Sequence, residues 1–374
     1  MIFTLEALQA KEGDCLLIHY GPDEPTGLML IDGGPPGTFR RVLAPRLEEL
    51  RPAVADAAVE IDLGMVSHID ADHIAGLLDL TRVLTEAKRD QRPPPYVLRR
   101  FWHNSLEAMI GDVSGPASLS RLASAASTSR PVPRATREDV SAVIASVPQG
   151  QRLADDLEFL LPANQAGVIA SGHTLPLPDG PTLTVIGPDQ EELAALREQW
   201  EREVPRDEDA EVAAYLDDSI PNLSSIVCLV EFEGKRILLT GDARGDHVLE
   251  GLERAGLLKG RRRTLSVDIL KLPHHGSEHN VDQDFFDRIQ ARHYVISADG
   301  AHGNPEDETL TMLLASRPKD DKFTIWLTNR TGRKGLGPRL EAYLEAHPDR
   351  TWEMRFRDSD ALSLRIDLGD PLTI

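Results

Sequence analysis

A short run of acidic and histidine side chains near residue 70 places the strongest constraint on this 374-residue chain. An apolar segment at 61–66 leads into the run and another at 74–80 leads out, which predicts a strand, a tight loop and a helix. Loops at strand ends hold side chains over a rigid scaffold, as metal ligands require. The run contains four potential metal ligands within six residues, namely His68, Asp70, Asp72 and His73.

This combination of histidines and aspartates favours a metal site. Imidazole nitrogens with carboxylate oxygens suit Zn, Mn or Fe better than Ca. The alternative is an acidic helix start, in which Asp70 or Asp72 caps the helix or lies at its positive end. Capping accounts for one carboxylate but not for the two flanking histidines.

Two later segments place further candidate ligands after apolar strands. Asp242 follows a predicted β-hairpin, and His274 with His275 follows a predicted buried strand at 267–272. A binuclear site needs such convergence, because each metal takes three or four ligands and one carboxylate can bridge the pair. The alternative for Asp242 is a helix N-cap. Asp32, before two glycines, is either a turn residue or a group that supports the ligands.

Composition limits the classes of partner and compartment. The net charge of -20 argues against a non-specific grip on nucleic acid, although Arg99–Arg100 and Arg261–Arg263 are local basic clusters. Cys15 and Cys228 lie in apolar runs, which predicts buried free thiols. The sequence shows no signal peptide and no membrane-spanning run, so we expect a soluble, cytoplasmic protein that does not bind membranes.

The order of these motifs resembles a known family. The run at 67–73, Leu-Leu-Thr-Gly-Asp ending at Asp242, and Leu-Pro-His-His-Gly-Ser at 272–277 resemble the metallo-β-lactamase fold. More narrowly they resemble its competence-protein (ComEC-like) branch, in which Asp replaces the second His of the usual His-x-His-x-Asp-His. The segments at 11–18 and 30–34 also resemble that branch, and the similarity covers roughly residues 2 to 330.

The resemblance implies the architecture. Alternating strands and helices already indicate a layered α/β fold, and the family implies a four-layer αββα sandwich with the metals at one rim. We expect a single metallo-β-lactamase-like domain over 1–374. Stretches with a different composition predict helical insertions at 105–170 and 189–221.

The resemblance also implies a ligand set. His68 and Asp70 would hold one metal, Asp72 and His73 the other, and Asp242 would bridge them. One histidine of the 274–275 pair would complete the set; His275, which precedes a glycine, fits the family slightly better, and His274 stays open.

One position departs from the family pattern. Asn222 stands where the family has a histidine ligand, with His103 and His173 as candidate substitutes. If neither contributes, the second site would be weak or would take a harder ion such as Mn.

These residues predict a metal-dependent hydrolase that uses metal-activated water, with one or two Zn²⁺ or Mn²⁺ ions per chain. A phosphodiesterase or nuclease fits the branch best, so the expected partner is a phosphodiester, including nucleic acid. Asp72 would orient the proton of the water, and His302 would contact a phosphate or protonate a leaving group, unless its loop is a plain turn. The alternatives are a hydrolase for a small ester (phosphocholine-type or lactone) and a catalytically weak metal-binding interaction module.

Overall fold

The computed structural model describes residues 1–52, 57–104, 137–163, 168–191, 193–194, 225–259 and 263–373, with side chains from 148 onward in the third of these segments. Much of the two predicted insertions, Asn222 and Arg261–Arg262 lie outside the described residues. The extent of the domain and of its insertions stays a prediction.

The strands follow one another along the chain in this order: β1 (Ile2–Leu8), β2 (Leu16–Gly21), β3 (Gly27–Ile31), β4 (Val59–Ile61), β5 (Leu63–Met65), β6 (Tyr96–Leu98), β7 (Phe101–Trp102), β8 (Thr174–Pro176), β9 (Thr182–Gly187), β10 (Val227–Phe232), β11 (Lys235–Leu239), β12 (Leu265–Lys271), β13 (Ile289–Ile296), β14 (Thr324–Leu327), β15 (Glu353–Phe356) and β16 (Ser363–Asp367).

The helices are a π-helix (Phe39–Leu43), α1 (Ala44–Glu49), α2 (Ala71–Arg89), α3 (Arg137–Leu160), α4 (Gly245–Arg254), a 3-10 helix (Pro273–Gly276), α5 (Gln283–Arg288), α6 (Asp307–Ala315) and α7 (Leu336–Ala346).

Two large sheets carry the fold. The first has the strand order β16-β1-β2-β3-β5-β7, and the second has the order β15-β14-β13-β12-β11-β10-β9-β8. Strands β11 to β15 pair in parallel, as do β3, β5 and β7. The carboxyl ends of parallel strands meet at one edge of a sheet, where ligands bind in open α/β folds. The segments after β5, β11 and β12, which carry the candidate ligands, leave their strands at such edges.

Side chains that alternate along the strands separate the core into layers. In β2, Leu17 packs with helices α2 and α3 in one apolar cluster, whereas its neighbour Ile18 packs against the second sheet in another. In β12, Ile269 belongs to the same cluster between the sheets, and Leu270 packs with helices α4 to α7. Helices therefore cover the outer face of each sheet, and the four-layer αββα sandwich predicted from the sequence is confirmed.

Helix α2 starts earlier than its apolar run predicts. It begins at Ala71, because the Asp70 backbone is extended and its carbonyl accepts hydrogen bonds from the amides of His73 and Ile74. Asp72 and His73 therefore lie in the first helical turn and not in the preceding loop. Within the described residues the Asp70 carboxylate makes no capping hydrogen bond, so its side chain is left to face the site.

The start of α2 is held against the end of β3 at three glycines. The amide of Gly33 donates to the carbonyl of His73 at 2.6 Å, and that of Gly76 donates to Gly34 at 3.1 Å. A Cβ atom added to Gly76 would lie 1.9 Å from the carbonyl oxygen of Gly33. Only glycine allows this close approach of strand end and helix.

Other sequence predictions have mixed outcomes. Cys15 and Cys228 are buried and free, as predicted. The sequence pattern of residues 285–292 predicts a helix. In the structure this helix ends at Arg288, because Ile289 is buried and pairs with Leu265 of β12 as the first residue of β13. Among the described residues, no helix is both long and apolar enough to cross a membrane.

The described end of the first predicted insertion packs on α2. Leu153 and Leu157 of α3 are buried in the helix-facing core, and Thr81 of α2 donates a hydrogen bond to Asp156 at 2.8 Å. Gly150 lies against Ile69, one residue from the candidate ligands. This helix therefore forms part of the outer layer beside the site.

A buried ionic group ties β1 to its neighbours. The carboxylate of Glu6 accepts hydrogen bonds from Arg46 at 2.7 and 3.1 Å, contacts His19 Nε2 at 2.8 Å, and accepts one from Ser363. Burial raises the pKa of Glu6, but these donors outweigh it and lower the pKa from 4.5 to about 2. The carboxylate is thus a stabilising group only while it is ionised.

We expect Glu6→Gln to lower the free energy of unfolding by about 3 kcal/mol at pH 7, because it leaves the buried Arg46 with only the exposed Glu49 as its counter-charge. Because the pKa of Glu6 is lower in the folded state, its carboxylate stabilises the fold fully at pH values above the unfolded pKa of 4.5. This stabilisation is lost as the pH falls toward the folded pKa of about 2. The difference from the wild type should therefore narrow by about 1.4 kcal/mol per pH unit below 4.5.

Urea unfolding at pH 7 and pH 3.5 measures this difference, with the exposed Glu250→Gln as the matched control. A gap between wild type and Glu6→Gln that is equal at both pH values would contradict the role given to the ionised carboxylate.

Candidate metal centre

The carboxylate of Asp242 lies at the centre of the candidate site. Asp242 follows β11 through a tight turn, is 5% exposed, and its amide donates to Ser225 Oγ at 3.2 Å. Helix α4 begins at Gly245 with Arg244 in the N-cap position, so Asp242 is not the helix cap that the sequence left open as an alternative. A buried carboxylate requires compensating positive charge or hydrogen-bond donors.

Four imidazoles face this carboxylate, each through its Nε2 atom. His73 Nε2 lies 3.3 Å from Asp242 Oδ1. The Nε2 atoms of His68, His274 and His275 each lie 3.7 Å from Asp242 Oδ2. Ligands that the sequence scatters over three segments are therefore gathered around one group.

Asp70 and Asp72 add carboxylate oxygens on two sides of the cluster. Asp70 Oδ2 lies 3.5 Å from His68 Nε2. Asp72 Oδ2 lies 3.2 Å from His275 Nε2 and 3.8 Å from His73 Nε2. All seven residues assigned as metal ligands from the sequence therefore lie together, although their role as ligands stays a prediction.

The donor atoms fit a divalent cation better than they fit one another. Despite these short distances, several buried atoms have no aligned hydrogen-bond partner among the described residues: His68 Nε2, His73 Nε2, His275 Nε2, Asp70 Oδ1 and Asp242 Oδ1. Buried polar atoms without partners are rare and costly. Two ligands of one tetrahedral zinc, bound at about 2 Å, lie about 3.4 Å apart, close to the separations found here.

The same conclusion follows from a purely geometric grouping. One ligating atom from each of four buried residues lies within 4.8 Å of every other: Asp14, His73, Asp242 and His275. This group is a candidate divalent-metal site in its own right.

Electrostatics also favour a cation at this position. Burial lowers the pKa of His275, but Asp242 and Asp14 outweigh it and raise that pKa to about 10. The pKa of His73 is likewise raised well above 6.5, because Asp242 and Asp72 outweigh the effect of burial. The carboxylates thus draw positive charge into the cluster, and a divalent cation supplies such charge.

Asp32 fixes the ring of His73. Its carboxylate accepts hydrogen bonds from the Ser67 amide at 2.7 Å, from Ser67 Oγ at 2.8 Å and from His73 Nδ1 at 2.9 Å. With the proton on Nδ1, the Nε2 lone pair of His73 is free to bind a metal. Of the two interpretations of Asp32, the structure supports the group that orients a ligand.

Ser67 extends this support to His68. Its hydroxyl donates its single proton to Asp32, so it can only accept from His68 Nδ1, which lies 3.1 Å away. The Nε2 atom of His68 is therefore also left as a lone pair that faces Asp242. One aspartate and one serine thus set the tautomer of two candidate ligands.

Sequence reasoning missed a buried ion pair beside the site. Lys271 and Asp14 are each 1% exposed, and Lys271 Nζ lies 2.6 Å from Asp14 Oδ2. The other oxygen of Asp14 faces His275 Nδ1 at 3.7 Å. The sequence feature that indicated this pair is Lys271, a single lysine at the end of an apolar strand. A charge buried at such a position needs a partner of opposite charge.

Other candidates lie outside the cluster. His302 is exposed; its loop touches the site through Asn304, which donates to the His274 carbonyl, but within the described ranges no hydrogen bond or ion pair joins His302 itself to the ligands. His103 is part-buried next to Phe101, and His173 packs its ring on Trp102. Neither contacts the ligands described above.

Comparison with known proteins gives one strong match. The sequence profile of the metallo-beta-lactamase superfamily matches residues 10–289, well over half of the chain. A search of curated proteins found no match.

Solved structures give distant likenesses. Zn²⁺-bound PqqB from Methylobacterium extorquens is 12% identical with a TM-score of 0.41, over 94% of this chain and 87% of that one. A metallo-beta-lactamase with a HARLDQ motif from Cronobacter sakazakii is 14% identical with a TM-score of 0.32, over 92% and 90%. Each TM-score is below 0.5, so the family assignment rests on the sequence profile. On that ground the chain belongs to the metallo-β-lactamase superfamily.

Proposed function

We propose that this protein is a metal-dependent hydrolase of phosphodiester bonds, from the competence-protein-like (ComEC-like) branch of its superfamily. The observation that carries the proposal is the convergence of four imidazole Nε2 atoms on the Asp242 carboxylate. A divalent cation bound there would acidify a water molecule and neutralise charge that develops on the attacked group.

The residues of the chain divide the remaining tasks. Asp32 and Ser67 hold His73 and His68 in the tautomers that a cation requires. Asp72 has the geometry of a proton acceptor as well as a ligand, because its side chain is 30% exposed while one oxygen faces His275. We assign it the task of orienting the attacking water.

The exposure of the site gives a substrate access to the candidate ligands. His68 and His73 are buried, whereas the side chains of Asp70, Asp72 and His274 are 22%, 30% and 45% exposed. The cluster is thus open on one side, where a chain-like substrate can reach it. The exposed loop of His302 borders the same side through Asn304, and we retain His302 as a candidate contact for phosphate.

We expect the protein to hydrolyse bis-p-nitrophenyl phosphate and single- or double-stranded DNA when Zn²⁺ or Mn²⁺ is added. Asp72→Ala and His73→Ala should each lower the rate by about 100-fold or more, because each removes a ligand or a proton acceptor. Initial rates with each metal measure this, with the exposed His279→Ala as control.

A panel of substrates separates the alternatives. Faster hydrolysis of acyl esters, lactones or phosphocholine esters than of the diester would favour the small-ester hydrolase. Equal rates for the wild type and Asp72→Ala would rule out the proposed chemistry. Less than one metal ion per chain after incubation with Zn²⁺ and Mn²⁺ would favour an interaction module.

Removal of metal should destabilise the protein, because a cation that binds only the folded state stabilises it by mass action. At a concentration 100 times its Kd, the ion should add about 2.7 kcal/mol to the free energy of unfolding. Thermal unfolding with chelator, and again after Zn²⁺ or Mn²⁺ is restored, measures the change. An Asp242→Ala variant that keeps the full metal-dependent shift would show that the ion binds elsewhere.

A further inference from the structure

The geometry points to a divided role for the two adjacent histidines: we infer that His274 ligates the metal held by His68 and Asp70, while His275 ligates the metal held by Asp72 and His73. This inference rests on the proposed metal-dependent function. The ligand set implied by the family resemblance uses only one histidine of the 274–275 pair, and the inference departs from that set. It also gives the first metal a second imidazole that does not depend on position 222.

The backbone of the pair is the first observation. His274 and His275 both adopt left-handed conformations, with φ of 45° and 57°, and Gly276 follows at 87°. Such conformations cost of order 1–3 kcal/mol for each non-glycine residue and persist where the surroundings impose them. In a regular strand, successive side chains would point to opposite faces. Here the left-handed turn directs both Nε2 atoms at Asp242 Oδ2, at 3.7 Å each.

The tautomer of His274 is the second observation. Asn280 donates through Nδ2 to the carbonyl of Asp242 at 2.9 Å, which leaves its Oδ1 as an acceptor. That oxygen lies 2.7 Å from His274 Nδ1, so Nδ1 carries the proton and Nε2 is a lone pair. A histidine that served only as an exposed turn residue would not need this support, which is the arrangement found around metal-binding imidazoles.

The distribution of the neighbours assigns each histidine to one ion. His275 Nε2 lies 3.2 Å from Asp72, and His275 groups with His73 within the 4.8 Å cluster. His274 is not in that cluster: like His275 it faces Asp242 Oδ2, the oxygen that also faces His68, but among the described residues no ion pair joins it to Asp72. Each half of the site would then contain two imidazoles, one terminal carboxylate and a share of Asp242.

Titration of the metal-free, full-length protein with Co²⁺ tests this assignment, with calorimetry for stoichiometry and the visible Co²⁺ spectrum for the ligand field. We expect two ions per wild-type chain. His274→Ala should weaken one of the two by at least about tenfold. Because this side chain is 45% exposed, its loss should leave the fold intact, and His347→Ala, at the end of α7, is the matched control.

Two backgrounds identify the ion that His274 holds. The Asp70→Ala variant lacks a ligand of the first ion. Adding His274→Ala to this variant should change the affinity for the remaining ion by no more than about twofold. In Asp72→Ala, the same addition should weaken the remaining ion by at least about tenfold. Adding His275→Ala should instead weaken the remaining ion by at least about tenfold in Asp70→Ala, and should leave its affinity within about twofold in Asp72→Ala.

Several results would overturn the inference: a wild type that binds one ion, a His274→Ala variant that binds two with unchanged affinity and spectrum, or a reversed dependence on the two backgrounds. A wild type that binds no Co²⁺ would overturn the proposed function as well. Two bound ions with the predicted pattern but no phosphodiester hydrolysis would contradict the proposed function alone.

Discussion

The enclosed carboxylate of Asp242 is the constraint on which the rest of the site depends. A carboxylate that is almost out of contact with water must be balanced, and the balance here comes from four imidazoles on two separate segments of the chain. These groups approach one another closely but are not aligned as hydrogen bonds. A cation requires lone pairs that face a common point. Direct hydrogen bonds between the side chains would not produce this arrangement.

The supporting residues give this arrangement its precision. Asp32 and Ser67 orient the two histidines that flank the start of α2, and Asn280 orients His274. The buried carboxylate of Asp14 faces His275. Lys271 neutralises its charge, so the pair adds no net charge to the core. Each support comes from the end of a strand or the loop after it, so the two sheets must pack correctly before the ligands can converge.

The sequence was sufficient for the fold and for the gathered residues. The motif at 68–73 and two later motifs after apolar strands resemble the metallo-β-lactamase fold, and that resemblance implied both the αββα sandwich and the convergence on Asp242. It did not predict that Asp72 and His73 lie inside the helix, since the apolar period begins only at Ile74.

Contacts between distant parts of the chain explain the remaining differences. Lys271 and Asp14 are 257 positions apart, and no local pattern indicates that they pair. Strand β13 replaced a predicted helix end because β12 offered it a partner. The central claim is best tested by anomalous diffraction from crystals that contain Zn²⁺ or Mn²⁺. We predict two peaks about 3.5–4 Å apart, one on each side of the Asp242 carboxylate; peaks distant from Asp242, or none, would contradict the account.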